Sequence, residues 1–126
     1  MKNGIKILSD TPGNGPAIER QHIYSSRLKM WLNKGEPISW ERPWGLIDNA
    51  RLEDNGETLF TDLRVDRESM FNGLFYGVEG MHIGDTRKLK ISPHLAYGEK
   101  GIKDRIPENA VIIVEIEFIK ERINAA

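Results

Sequence analysis

Period-two alternation is clearest near the C-terminus of the chain. From Thr86 to Ile91, Leu89 and Ile91 fall on one side of an extended segment, and Lys88 and Lys90 fall on the other. That pattern predicts a strand with one buried face. Val111 to Ile119 repeats it, setting Ile112, Val114, Ile116 and Phe118 against Glu115 and Glu117. Arg20 to Leu32 is a third such stretch, with Leu28, Met30 and Leu32 opposed to Lys29 and Trp31. Shorter strands are expected over Gly4–Asp10, Leu46–Leu52 and Thr58–Val65. Asp54-Asn55-Gly56 supplies the hairpin turn between the last two, because Asn-Gly accepts positive φ at low cost.

The period changes once. Phe71, Leu74, Phe75 and Val78 recur at i, i+3, i+4 and i+7, which marks one apolar face of a helix. Asp66 is placed to cap a helix running from about Arg67 to Tyr76. Gly73 and Gly77 each weaken it by about 1 kcal/mol relative to alanine, so packing against a sheet must hold it. Four connections lack periodicity. Thr11 to Pro16 is a Gly/Pro loop, Asn33-Lys34-Gly35 and His82-Ile83-Gly84-Asp85 are turns, and Ser92 to Asn109 is a loop long enough to suggest function.

These elements sum to an α+β domain, an antiparallel sheet with one face covered by a short helix and the other wet. At 126 residues the chain fits a single domain spanning 1–126. Composition changes this picture little, with 39% hydrophobic and 29% charged residues. A formal net charge of −1 gives no global field for nucleic acid or an anionic membrane surface. The absence of cysteine removes disulfides and thiolate chemistry. The N-terminal apolar stretch is too short and too polar for a signal-peptide core, and no run reaches the length of a membrane span. The expected location is cytoplasmic.

Candidate chemistry is sparse. His22, His82 and His94 show no metal-ligand spacing, and no metal or other cofactor is expected. No nucleophile elbow, phosphate loop or paired-carboxylate motif is present. Gly13-Asn14-Gly15 precedes a proline and no helix, which makes it a turn rather than a dinucleotide loop. Glu115 and Glu117 read as a solvated sheet face, paired across strands with Lys88 and Lys90.

The segment Gly77-Val78-Glu79-Gly80-Met81-His82-Ile83-Gly84, the basic strand after it, and Pro93-His94-Leu95-Ala96-Tyr97-Gly98 together resemble the FKBP peptidyl-prolyl isomerases. In that family a helix enters a Gly-x-x-x-Met-x-x-Gly turn, then a basic strand and a Pro-x-x-Ala-Tyr-Gly loop. Ile106-Pro107-Glu108-Asn109-Ala110 and the strand that follows are similar to the family's ending. The likeness is tight over about the last two-fifths of the chain. Gly13-Asn14-Gly15-Pro16 and Trp31-Leu32-Asn33-Lys34-Gly35 extend it in outline.

The resemblance implies a half-open antiparallel β-sheet wrapped around one short α-helix. It also implies cis-trans isomerisation of X–Pro bonds in peptides or unfolded proteins, and macrolide inhibitors as further ligands. Carried over by position, Tyr97 supplies a hydroxyl and Phe71 a backbone N–H. Leu28, Ile38, Ser39, Met70, Leu74, Ile106 and Val114 line the pocket. Several of these depart from the family pattern. Leu74 falls where a tryptophan is usual, Ile38 and Val114 where phenylalanines are, Ser39 where an aspartate is, and Leu28 where a tyrosine is. The segment around 39–57 is an extended insertion. It carries Trp40 and Trp44, which are either core residues or a substitute wall. Two functions stay open at this point: an isomerase, or a peptide-binding or chaperone module on the same fold with little or no isomerase activity.

Overall fold

The computed structural model describes residues 2–38, 40 and 50–122. Six strands form one antiparallel sheet: β1 (Ile5–Thr11), β2 (Ile23–Leu32), β3 (Arg51–Glu53), β4 (Thr58–Arg64), β5 (Thr86–Ile91) and β6 (Ile112–Arg122). Their order across the open sheet is β1-β5-β6-β2-β4-β3. The single α-helix among the described residues, α1 (Asn72–Gly77), lies between β4 and β5 in the chain. The α+β, helix-backed sheet expected from the alternation is therefore found. Trp44, Ser39 and residues 46–49 of the expected Leu46–Leu52 strand lie outside the described residues, and of the rest Arg51 and Leu52 fall in β3.

Side-chain parity explains which face is covered. Leu28 and Met30 of β2, Leu89 and Ile91 of β5, and Ile112, Val114, Ile116 and Phe118 of β6 are all buried. Leu74, Phe75 and Val78 bring the apolar side of the helix to the same core. The opposite face is ionic. Arg27 reaches Glu53 at 3.1 Å and Glu117 at 3.3 Å. Lys88 stands opposite Glu115 as expected, whereas Lys90 stands opposite Ile113 rather than a glutamate. Trp31 belongs to this outer side, with the Lys88 ammonium 4.5 Å from its ring centroid.

The helix begins later than the cap at Asp66 suggests. Asp66 does accept from the Glu68 and Ser69 amides, at 3.1 and 2.7 Å. The four residues it organises form a turn, and the helix starts only at Asn72 with Phe71 as its N-cap. The two glycines have a packing reason that propensity could not supply. A β-carbon on Gly73 would overlap the Ile91 side chain and stand 2.9 Å from the Leu95 carbonyl, and one on Gly77 would stand 2.5 Å from Leu89 Cδ1. Glycine lets α1 settle directly onto β5.

Asp85 anchors the N-terminal loop to the turn before β5. Its carboxylate accepts from the Gly13 amide and, at 2.9 Å, from the His82 amide. Burial alone would push this carboxyl up, but the amide donors outweigh it and hold it below its usual range.

Candidate functional site

The loop after β5 is built to hold one aromatic side chain at the mouth of the core. Pro93–Leu95 forms a single 3-10 turn, and the Gly98 amide returns to the Pro93 carbonyl at 2.8 Å. Gly98 has φ +65°, a left-handed conformation that glycine adopts without strain. Further along, Ile102 and Ile106 exchange backbone hydrogen bonds at 2.8 Å each. The Asn109 amide closes onto the Gly98 carbonyl at 3.0 Å. The apparent long loop is thus a pinned structure, which fixes Tyr97 and Ile106.

Tyr97 leans on Phe71, with ring centroids 5.3 Å apart and planes inclined by 42°. Both are only partly buried and pack on the edge of the core. The Tyr97 phenol, with an ordinary value of 10, is protonated at neutral pH, and burial pushes its pKa further up. Phe71 has an extended backbone, φ −65° and ψ 157°, as N-cap of α1. Its N–H donates to no acceptor among the described residues, as expected for a group ahead of the first helical turn. The rings of the two residues singled out for polar contact are therefore neighbours.

Beneath them the expected lining is buried. Met70 is 2% exposed, Leu74 3%, Ile106 3% and Val114 0%. Met30 faces Val114 across β2 and β6, and the Ile38 amide donates to the Met30 carbonyl at 2.9 Å, which sets Ile38 beside them. Leu28 lies two residues from Met30, opposite Ile116. Ser39 lies outside the described residues. Trp40 is a core residue, 7% exposed, with its amide bonded to the Gly56 carbonyl at 2.8 Å.

Two hollows differ in kind. One, of about 580 Å³, runs along Lys100–Glu108 with Leu32, Ile102 and Ile106 as apolar lining. The other, of about 380 Å³, lies on the ionic face among Arg27, Lys29, Glu53, Asp54, Glu115 and Glu117. The first shares Ile106 with the expected lining, and its apolar side chains suit an uncharged ring better than the ionic face does.

Sequence reasoning passed over Arg87. It is 6% exposed, and its guanidinium reaches Asp10, the Gly77 carbonyl and the Glu79 carbonyl. The signal was available, because Arg87 shares parity with Leu89 and Ile91 and so had to point inward.

Residues 45–119 match the family profile of the FKBP-type peptidyl-prolyl cis-trans isomerases. This chain belongs to that family. It is 44% identical over 127 residues to the peptidyl-prolyl cis-trans isomerase FKBP16-4, chloroplastic, of Arabidopsis thaliana, a match covering 94% of this chain and 49% of that FKBP. It is 34% identical over 110 residues to FK506-binding protein 2 of Candida glabrata, covering 75% and 81%. The chain spans about half the length of several curated relatives it matches, 49%, 53% and 58% of three of them. Two of the solved structures that this chain resembles show the fold. The peptidyl-prolyl cis-trans isomerase of Pseudomonas syringae pv. tomato superposes with a TM-score of 0.65 at 22% identity, covering 97% of this chain and 84% of that one. The crystal structure of AtFKBP13 gives 0.69 at 21%, covering 94% and 91%. The half-open sheet around one helix is thus an FKBP fold.

Proposed function

We propose that this FKBP domain accelerates cis-trans isomerisation of X–Pro bonds in peptides or unfolded proteins. One observation carries the reading: the Tyr97 ring rests on the ring of Phe71, whose N–H bonds to no acceptor among the described residues, next to buried aliphatic side chains. An X–Pro bond rotates slowly because amide resonance keeps it planar, with a barrier of about 18–20 kcal/mol. No bond to the protein is needed to lower that barrier. Apolar surroundings disfavour the charge-separated planar amide, and donors aimed at the twisted form favour the transition state over the ground state. Tyr97 and Phe71 are the donors in this scheme. Met70, Leu74, Ile106 and Val114 hold the pyrrolidine ring, with Leu28 and Ile38 toward the β2 side. Macrolide inhibitors would compete for the same floor.

A second reading has its own support. Leu28, Ile38, Leu74 and Val114 are at most 4% exposed, so the floor is filled closely by aliphatic groups. That favours a module that holds prolyl segments at the rim with little turnover.

The deciding experiment is an isomerase assay on short X-Pro peptides with wild type and Tyr97→Phe. Acceleration by wild type, reduced about 2- to 10-fold in the variant, matches the worth of one hydrogen bond. Equal rates remove the hydroxyl from the mechanism. Peptide-induced shifts at Phe71 and Tyr97 without any acceleration select the binding module.

A further inference from the structure

We infer that Arg87 is a positioning residue for the prolyl site, holding α1 so that the Phe71 N–H points at the bound amide. The inference rests on the isomerase reading above. A helix of only Asn72–Gly77 is far too short to be stable by itself. Its start has no side-chain cap, so its orientation must be imposed from elsewhere. Gly73 and Gly77 set how deeply it sits on β5, but they place no side chain there to resist a tilt.

Arg87 resists the tilt at the far end. Its Nη1 donates to the Gly77 carbonyl at 2.9 Å and to the Glu79 carbonyl at 2.8 Å. The Gly77 carbonyl is one of those a helix leaves unpaired at its C-terminus, where a cation is favoured, and Glu79 lies in the turn just beyond it. The other edge of the guanidinium is fixed by Asp10 of β1, Nε to Oδ1 at 3.3 Å and Nη2 to Oδ2 at 3.0 Å. A planar fork with opposed edges can tie two elements at once in a way a flexible ammonium cannot. So β1, β5 and the end of α1 are joined through one buried side chain.

Six helical residues span about 9 Å. A tilt of about 5–10° over that span moves the helix start by about 1 Å, and displacements of this size at a reacting group cost up to about 10²-fold in rate. The floor residues on β6 and in the Tyr97 loop do not ride on the helix, so substrate affinity should change less than turnover.

The test compares Arg87→Met and Arg87→Lys with wild type by X-Pro isomerase kinetics and by the amide resonances of Phe71 and Asn72. For Arg87→Met, kcat is expected to fall about 5- to 50-fold with KM within about two-fold, and both resonances should move. Arg87→Lys, which reaches one carbonyl with its ammonium, should recover part of kcat and return the resonances part of the way. Should the methionine variant fail to fold, the lysine variant decides by the same two readouts. Wild-type kcat and unmoved Phe71 and Asn72 signals in a folded variant overturn the proposal. A lysine variant no better than methionine does so too. If wild type itself shows no acceleration, the isomerase reading fails, and the two resonances still decide whether Arg87 orients the helix start.

Discussion

The seam between α1 and β5 and the loop that carries Tyr97 both depend on glycine, for opposite reasons. At Gly73 the backbone is ordinary helix, and what forbids a side chain is space, since Ile91 and Leu95 already occupy it. At Gly98 no atom lies within 4 Å of a built β-carbon, and what favours glycine is φ +65°. The seam is therefore limited by packing and the loop by backbone conformation. A prolyl site needs both, a floor that cannot give and a rim whose course is set by dihedral angles.

The contrast can be broken at several strengths. Leu89→Ala removes a fully buried side chain that fills the Gly77 notch. It is expected to cost about 2–5 kcal/mol in denaturant unfolding, from lost transfer energy plus the cavity. Gly73→Ala comes next and sharpens the argument by its sign. Helix propensity alone predicts a gain of about 1 kcal/mol, whereas overpacking predicts a loss of about 1–3 kcal/mol. A net loss with reduced isomerase activity is expected, and a more stable variant would show that the seam is loose. Gly98→Ala has room and should cost only about 1–2 kcal/mol for left-handed backbone. Proteolysis around Tyr97 should rise while the core unfolds nearly as before.

The smallest effect lies away from both regions. His22 Nδ1 is 2.9 Å from Glu121 Oε1 and 3.5 Å from Glu19 Oε2. The hydrogen bond to Glu121 raises its pKa above the ordinary 6.5; desolvation opposes the rise, and the charges of Glu19 and Glu121 add to it. A raised folded-state pKa means the contribution is full below the unfolded value and is lost as pH rises through the folded one. Thermal stability should therefore decline slightly as pH rises above about 6.5, and His22→Gln should flatten that slope. A slope unchanged in the variant would assign it to other groups.

Periodicity carried most of the fold. The inward sets on β2, β5 and β6 could be read from the sequence because strand side chains alternate whatever the sheet order. The same rule was sufficient to turn Arg87 inward, but not to say what it would meet. The six-strand order was another matter. Nothing local in β6 says that β5 and β2 flank it, since those pairings join residues far apart in the chain. The start of α1 also escaped local reasoning, because Asp66 can cap a turn as readily as a helix, and the backbone beyond it follows tertiary contacts.

For the site, sequence alone determined which residue types were on offer: Tyr97 in a Gly/Pro-punctuated loop, an apolar helix face, and aliphatic positions on the last strand. Tertiary structure alone decided that the Tyr97 ring rests on Phe71, that the loop is cross-tied between Ile102 and Ile106, and that Arg87 spans three elements. The physical reason is that side-chain parity and turn preferences are properties of a few neighbouring residues. A distance between two rings depends instead on the sheet order and the helix seat that separate them.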